Sequence, residues 1–349
     1  MLNATTTAGA QLRNLVIIAL CVALLAGINV VFNDYIIRVI STIFVFMILA
    51  VSYNLINGVT GQLSLEPNGF VAVGAYVTAL LILPSDSKLD MFEMAAPSPW
   101  ILVLHAGFLP ALLISGLCAA ALAVCLALPV FRVRGDYLAI VTLGFGFIIK
   151  ILAINNPQIT NGAIGLNDIP QQPHLLFWCG LFALLATGMI LQLVWSKYGR
   201  MMKAVRDDED AAIAMGVNTF RIKTYAFATS AFFEGIGGGL LASLLTTISP
   251  GLFDFMLTFQ LLIIIVLGGL GSTTGALLGT VLVVGSGRVA ALSRPAAPVL
   301  RSRSRRVSGP ADGGVLAAAA DHHAVRPRRS AGQKRDLASG QKGRGYGAK

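Results

Sequence analysis

Four ionisable side chains interrupt long apolar stretches of this sequence: Glu66, Asp136, Lys150 and Glu234. A charge inside an apolar segment is costly, so such residues by default mark a path for an ion or a polar ligand. Asp136 stands where a helix is predicted to begin and Lys150 near the end of a stretch, so capping and snorkelling explain these two. Glu66 and Glu234 leave two interpretations open, the lining of a cavity and a buried structural hydrogen bond.

Motifs for covalent chemistry are missing from the sequence. There is no GxxxxGK[ST], GxSxG or HExxH pattern, and the four histidines are not spaced as metal ligands. We therefore predict no catalytic residue, no cofactor and no bound metal. A membrane enzyme would need a catalytic set, and a stand-alone secondary transporter would need inverted repeats or a chain of buried acids; the sequence shows neither.

A polar loop, residues 196–223, lies between two long apolar segments and holds six of the twelve Lys and Arg that precede residue 288. Its centre, residues 207–216, reads DDEDAAIAMG. Acids followed by alanines predict a short exposed helix, and Gly216 is suited to end it. Without a nucleophile or a phosphate-binding loop nearby, such a helix is expected to be a docking surface.

Composition places this loop in a membrane protein. Of the 349 residues, 56% are hydrophobic and 12% charged, with a mean hydropathy of +0.76. Repeated apolar runs of roughly 20 residues indicate a polytopic, all-α membrane protein. About eight spans are predicted, near residues 12–32, 36–56, 70–83, 101–130, 137–154, 175–195, 224–248 and 256–284.

Several predicted spans carry breaks. Residues 57–70 are rich in Gly, Asn, Gln and Ser, so at membrane depth this stretch must be covered by protein or face a wet cavity. Pro110 is a predicted break in the fourth span, and residues 84–100 are predicted to form an exposed loop. The last stretch contains GGLGSTTG and is either one long span or a re-entrant piece followed by a short one.

Lys and Arg in short loops predict the orientation. Arg132, Arg134 and the 196–223 loop are placed in the cytoplasm, so residues 84–100 and 155–173 lie outside. Arg38 falls outside as well, which is a mild exception to the rule.

Glycines predict close helix packing. Gly235, Gly237, Gly238 and Gly239 are predicted to open one helix face. A second group, Gly271, Gly275 and Gly279, recurs every fourth residue, a pattern typical of closely packed membrane helices. Packing within the chain and contact with a second copy both fit the second group.

The character of the chain changes at residue 288. Residues 288–349 carry 14 Lys and Arg but 3 acids, whereas residues 1–287 are nearly neutral. We predict a transmembrane domain at 1–287 and a disordered basic tail at 288–349, so the net charge of +10 is no sign of nucleic-acid binding. Out-of-frame translation of a GC-rich gene would give the same composition.

Four blocks of the sequence resemble the LivM-type permease subunits of ABC importers for branched-chain amino acids. They are YNLINGVTGQLSLEPNGFVAVGAYVTALL, RVRGDYLAIVTLGFGFIIKIL, ITNGAIGLNDIP and the stretch from SKYGRMMKAVRDDEDAAIAMG to VLGGLGSTTGALLGTVLV. The resemblance covers nearly all of residues 35–284. It implies an importer bundle in the bacterial inner membrane that moves Leu, Ile and Val by alternating access, with urea or short amides as the alternative substrates.

The resemblance also implies partners. They are a second permease subunit, two ATPase subunits that hydrolyse the ATP, an extracytoplasmic amino-acid-binding protein and the surrounding lipid. Family members have an EAA-xxx-G pattern in a cytoplasmic loop that docks on the ATPase. The residues that correspond to this pattern or flank it are Arg206, Asp207, Asp210, Ala211, Ala212 and Gly216, with Asp210 in place of the usual Glu.

A translocation path is implied along residues 57–70 and the spans near 137–154 and 224–248. Its expected lining is Asn57, Gln62, Ser64, Glu66, Thr142, Lys150 and Glu234. Two departures from the family stand out. Many members have Gly at the position of Glu66, and members continue beyond Val284 with a further apolar segment where this chain has its basic tail.

Overall fold

The computed structural model describes residues 33–92, 97–132 and 137–293, with side chains up to residue 287. The predicted span at 12–32, Arg134 and Asp136 in the link before residue 137, and most of the predicted tail lie outside these residues. The described helices are α1 (Asp34–Asn54), α2 (Pro67–Ile82), α3 (Ser85–Met91), α4 (Pro99–Val103), α5 (Phe108–Val130), α6 (Tyr137–Asn155), α7 (Pro157–Thr160), α8 (Leu175–Trp195), α9 (Lys197–Asp207), α10 (Glu209–Ala214), α11 (Thr219–Leu245), α12 (Phe255–Gly268) and α13 (Thr273–Ser293).

The described fold is a bundle of membrane helices. Five helices are long and apolar enough to cross a membrane, or seven spans result if the two bent pairs, α2 with α3 and α12 with α13, count as one each. The predicted all-α polytopic class is therefore confirmed, while the count of eight spans stays a prediction. The helix α13 runs to Ser293, past the predicted domain boundary at residue 287.

Helix α11 is the centre of the bundle. Its apolar window is 78% buried, against 33% for α6, so α11 is enclosed by other helices and α6 lies at the periphery. It packs against α5, α2 and α1. The outward side chains of α6, including Ile140, Ile148 and Ile151, are apolar, as a lipid-facing surface requires.

Glycines allow this central packing, but not through one face as predicted. A Cβ at Gly235 would meet Ala119 of α5, at Gly237 it would meet Leu49 of α1, and at Gly238 it would meet the backbone of Val71 in α2. The glycines therefore surround α11 with close contacts to three neighbours. Small residues of this kind let helix backbones approach closely where a side chain would hold them apart.

We expect Gly238→Ala to lower the apparent melting temperature of the detergent-purified protein, because the added methyl group would strike the Val71 carbonyl. Overpacking of this kind costs about 1–3 kcal/mol. The matched control is Gly188→Ala in α8, where no atom lies within 4 Å of the added Cβ. The control is expected to be neutral or slightly stabilising, since Ala favours a helix over Gly. Equal melting temperatures for both variants would contradict the packing role of Gly238.

The last apolar stretch forms a bent helix pair. Helices α12 and α13 meet at 119° across a short connection in which Gly269 and Gly271 have φ angles of 94° and 83°. A Cβ at Gly275 would strike the Gly268 carbonyl, and one at Gly279 would strike Ile264. Gly275 and Gly279 thus pack α13 onto α12 of the same chain, which is the first of the two alternatives that the sequence left open, whereas Gly271 lies in the connection next to Gly58.

One loop prediction and one predicted helix break were wrong. Residues 84–100 contain α3 and the start of α4, and Lys88 within them is fully buried, with its Nζ donating to the carbonyls of Ile101 at 2.9 Å and Leu104 at 2.6 Å. The fourth predicted span breaks between α4 and α5, whereas Pro110 lies in the first turn of α5. A helix tolerates proline there because the first-turn N–H groups have no helical partner.

Candidate functional site

The 196–223 loop folds as two helices, α9 and α10. Asp208 separates them and caps α10, its carboxylate accepting from the backbone N–H groups of Asp210 at 2.9 Å and Ala211 at 3.0 Å. Gly216 follows α10 with a φ of 81°, so the predicted short helix and its stop are confirmed. The predicted helix began two residues too early. Asp207 is the last residue of α9, Asp208 is the N-cap, and α10 begins at Glu209.

The surface of α10 is unusual for a short solvent-facing helix. Asp210, Ala211 and Ile213 are exposed, and Met215, just beyond the helix, is 85% exposed. Ala212 differs from the other predicted docking residues, since it is buried against its own chain. The outward side of α10 therefore combines acidic and apolar groups, whereas Ala212 anchors the helix. Exposed apolar side chains rimmed by polar ones are typical of a protein–protein contact.

An ion pair fastens α10 to the central helix. Lys223 Nζ lies 2.8 Å from Glu209 Oε2, and the Lys223 side chain is only 6% exposed. A buried cation of this kind is stable only with its acidic partner in place. Any displacement of α10 must therefore act on the first turns of α11. Neither residue was among the predicted site residues.

Arg206 joins α9 to the end of α1. Its Nη1 donates to the carbonyl of Gly58 at 3.3 Å, and a second contact pairs its Nη2 with Asp207 at 2.9 Å. Close by, the Gly271 N–H donates to Asn54 Oδ1 at 2.9 Å. The 196–223 loop, the end of α1 and the α12–α13 connection thus meet at one end of the bundle.

The chain between α1 and α2 is irregular and buried, as predicted. A π-helical turn at Leu55–Val59 precedes a non-helical stretch that ends at Pro67; residues 55–66 are called the broken segment below. The Asn57 side chain forms two hydrogen bonds with the Ser64 backbone, accepting from its N–H at 2.9 Å and donating to its carbonyl at 3.3 Å. Thr142 of α6 accepts from the Leu65 N–H at 2.9 Å. Protein groups therefore satisfy the backbone here, as an apolar environment requires.

Unpartnered polar atoms remain in the broken segment. Gln62 is partly buried and donates to the carbonyl of Thr60 at 3.4 Å. The hydroxyl of Ser64 and both carboxylate oxygens of Glu66 are buried without a hydrogen-bond partner among the described residues. Buried polar groups are nearly always paired, so each such atom indicates a ligand, a water molecule or stored strain.

Glu234 lies on α11 within electrostatic range of Glu66. Both side chains are fully buried. The Ser230 hydroxyl lies 2.9 Å from Glu234 Oε1 and 2.7 Å from the carbonyl of Ser52, and Glu234 Oε2 has no partner in the described part of the chain. The buried hydrogen bond considered for Glu234 is thus present, whereas the Glu66 carboxyl has none among the described residues. We call Glu66 and Glu234 the buried acid pair.

Lys150 does not snorkel freely, because it forms an ion pair. Its Nζ lies 3.2 Å from Asp254 Oδ2, which ties α6 to the start of α12. The Phe255 N–H and the Lys150 ammonium hold the pKa of the Asp254 carboxyl below its ordinary value. The sequence held a signal for this residue, since Asp254 directly precedes an apolar run, where a helix N-cap is expected.

The predicted site residues therefore divide into two groups. Arg206 contacts the broken segment at Gly58, at one end of the bundle, whereas Ser64 and Glu66 of that segment and Glu234 of α11 contribute buried oxygens without partners among the described residues. Asp208, Glu209, Lys223 and Ser230 complete these sites and were missed. Among the described residues, no group of three or more His, Cys, Asp or Glu side chains is placed to hold a metal ion.

Apolar helices packed around α11, with a buried irregular segment between α1 and α2, define a multi-pass helical membrane protein. The chain belongs to the family of permease components of branched-chain amino acid transport systems, whose family model matches residues 35–299.

Curated relatives agree with the family match. The chain is 34% identical over 273 residues to the high-affinity branched-chain amino acid transport system permease protein LivM of Escherichia coli K12, covering 69% of this chain and 60% of that protein. It is 23% identical over 249 residues to the permease protein LivH of Salmonella typhimurium, covering 67% and 78%. The probable permease LivM of Methanocaldococcus jannaschii is 28% identical over 165 residues, covering 44% and 47%.

The chain spans about three fifths of the length of the LivM relatives from Escherichia coli and Salmonella typhimurium. No solved structure is significantly similar to it.

Proposed function

We propose that this protein is a permease subunit of an ATP-driven importer for Leu, Ile and Val in the bacterial inner membrane. The observation that carries the proposal is the family match over residues 35–299. The subunit itself performs no covalent chemistry. Because the chain is similar both to LivM and to LivH proteins, we propose a second, related permease as its partner in the membrane.

Two ATPase subunits and an extracytoplasmic amino-acid-binding protein complete the proposed importer. The exposed side of α10, with Asp210, Ala211 and Met215, is suited to dock on an ATPase, since it combines small, apolar and acidic groups on a short helix. Asp207 and Gly216 flank this surface at its two ends. Ala212 holds α10 on the permease itself.

The coupling step passes through Arg206 and Lys223. Movement of α10 pulls on α11 through the Glu209–Lys223 ion pair, and movement of α9 reaches the broken segment through the Arg206 contact with Gly58. The first route leads into α11, which carries Glu234, and the second into the broken segment, which ends at Glu66. ATP-driven closure of the ATPases would thereby move the two elements that enclose the path, which is what alternating access requires.

The proposed path follows the broken segment. Ser64, Glu66 and Glu234 offer buried oxygens without partners, so they are the groups best placed to meet a polar substrate. Asn57 and Thr142 hold the irregular backbone in shape, and Gln62 stands at the partly exposed entry. Lys150 borders the path through its ion pair at the start of α12.

The proposal is tested by purifying the tagged protein from membranes and reconstituting the copurified complex in proteoliposomes. An ATPase is expected to copurify, and radiolabelled leucine uptake is expected only with ATP and the binding protein. Uptake of urea or acetamide in place of leucine would assign the alternative substrate class. Leucine uptake without any ATPase would instead establish a secondary transporter and overturn the proposal.

We expect Asp208→Ala to weaken uptake several-fold, because α10 loses its N-cap. Loss of such a cap costs about 0.5–2 kcal/mol of helix stability. The matched control is Asp208→Asn, whose side-chain oxygen can still accept from the Ala211 N–H and which should keep most of the uptake. If the alanine variant transports as well as the asparagine variant, the order of α10 does not matter for coupling.

A further inference from the structure

A cavity of about 760 Å³ opens between the first turn of α1, the chain that leads into α8 and the last turn of α11. Its volume lies within the roughly 300–1,000 Å³ that ligand pockets occupy. The wall carries two charged side chains, Asp34 and Arg38, polar groups including Gln171 and His174, and aliphatic side chains including Leu175 and Leu244. The lining is therefore neither a purely apolar packing defect nor a purely charged surface.

The cavity lies at the end of the bundle opposite the 196–223 loop. Helix α1 begins at the cavity with Asp34 and ends next to Arg206, whose contact at Gly58 lies just beyond α1. Helix α11 runs the other way, from Thr219 beside the loop to Leu244 in the cavity wall. The 21 residues of α1 extend about 30 Å, which is the thickness of a bilayer's hydrocarbon core. With the loop in the cytoplasm, the cavity opens on the outer side.

Both charges of the cavity are available to a ligand. Asp34 and Arg38 are four residues apart on α1 and both are exposed. Within residues 33–92, 97–132 and 137–287, neither side chain makes a hydrogen bond or an ion pair. Arg38 is also the outer-side cation that the rule for cytoplasmic Lys and Arg does not explain. An unpaired cation and an unpaired acid, one helical turn apart, match the two charges of a zwitterion.

We propose that this cavity receives the free branched-chain amino acid on its way into the bundle, with Arg38 binding the α-carboxylate and Asp34 the ammonium group. Guanidinium is suited to the first role, because it meets a carboxylate with two parallel hydrogen bonds. Leu175, Leu244 and their aliphatic neighbours supply the wall for the branched side chain. The inference rests on the proposed function and adds to it the site where the substrate is first held.

Equilibrium binding of radiolabelled leucine to the purified complex, without its binding protein, tests the inference. Two competitors separate the charges: 4-methylpentanoate has the carboxylate without the ammonium, and 3-methylbutylamine has the ammonium without the carboxylate. Arg38→Gln should weaken leucine binding roughly 10- to 100-fold, the range for a lost charge-assisted hydrogen bond, and abolish competition by 4-methylpentanoate. Arg38→Lys should retain part of both, and Asp34→Asn should selectively lose competition by 3-methylbutylamine.

The control is Asp86→Asn, which removes an exposed acid outside the cavity on the same predicted side of the membrane and should change neither competition. Melting temperatures like that of the wild type establish that the variants fold. Unchanged leucine binding by Arg38→Gln would overturn the inference. It would also be overturned if this variant bound leucine like the wild type but docked the binding protein more weakly. These results differ from a failure of the proposed function, which would appear as wild-type complex without ATP-dependent leucine uptake.

Discussion

Arg206→Ala is expected to uncouple the importer, so that leucine uptake falls about tenfold or more while ATP hydrolysis continues. The substitution removes the guanidinium that contacts the Gly58 carbonyl and the Cγ that lies beside Gly61 in the broken segment. A hydrogen bond from a charged group contributes roughly 1.5–3 kcal/mol, which corresponds to a factor of about 10–100. The measurement is the ratio of leucine transported to ATP hydrolysed in proteoliposomes.

The matched control for this prediction is Arg200→Ala. Arg200 lies on the same helix α9 and is exposed, and its side chain has no hydrogen bond or ion pair in the described part of the chain. It removes the same charge from the same helix without touching the broken segment. If both variants lower the transport ratio equally, then the loss arises from the charge of the loop, and the contact with Gly58 does not couple movement of α9 to the broken segment.

The sequence predicted best what depends on local composition. Long apolar runs marked the spans, the acids and alanines of residues 207–216 predicted a short helix, and Gly216 predicted its end. Polar, glycine-rich residues 57–70 predicted an irregular covered segment; the structure has an irregular, largely buried segment up to residue 66, and α2 begins at Pro67. Each of these signals lies within one stretch of chain, because it reflects hydropathy, helix propensity or a backbone angle that only glycine adopts easily.

Contacts between distant residues were beyond the reach of these signals. Arg206 and Gly58 are 148 positions apart, and the contact depends on how three elements meet at one end of the bundle. Lys88 was predicted in an exposed loop because its neighbours are polar. Its ammonium is instead buried and donates hydrogen bonds to the carbonyls of Ile101 and Leu104. The burial of Ala212 is of the same kind, since an alanine on a short helix gives no sign of which side faces the protein.

The buried acid pair lies between the two routes of the proposed coupling mechanism. It lies where the broken segment, reached from Arg206, comes within electrostatic range of α11, reached from Lys223. Three of its four carboxylate oxygens have no partner among the described residues. Such an arrangement weakens the fold, because buried polar atoms without partners cost free energy. Strain of this kind is retained at functional sites, where it is relieved when a ligand arrives.

Glu66→Gln is therefore expected to raise the apparent melting temperature by several degrees and, at the same time, to lower leucine uptake about tenfold or more. The amide cannot ionise, so it removes the cost of holding a carboxyl group without a partner in the interior next to a second buried acid, a gain on the order of 1–3 kcal/mol. Uptake falls because the substrate meets one acceptor fewer inside the bundle. Glu234→Gln should stabilise less, since Glu234 already has the Ser230 hydroxyl as its partner.

Opposite changes in stability and uptake distinguish the proposed role from a structural one. A glutamate that only supports the core would give a less stable variant, and uptake would decline in proportion to the folded protein. Thermal melting in detergent and uptake per folded complex in proteoliposomes measure the two quantities separately. A Glu66→Gln variant that melts earlier than the wild type and transports normally per folded complex would remove Glu66 from the path and leave it as a structural residue at the start of α2.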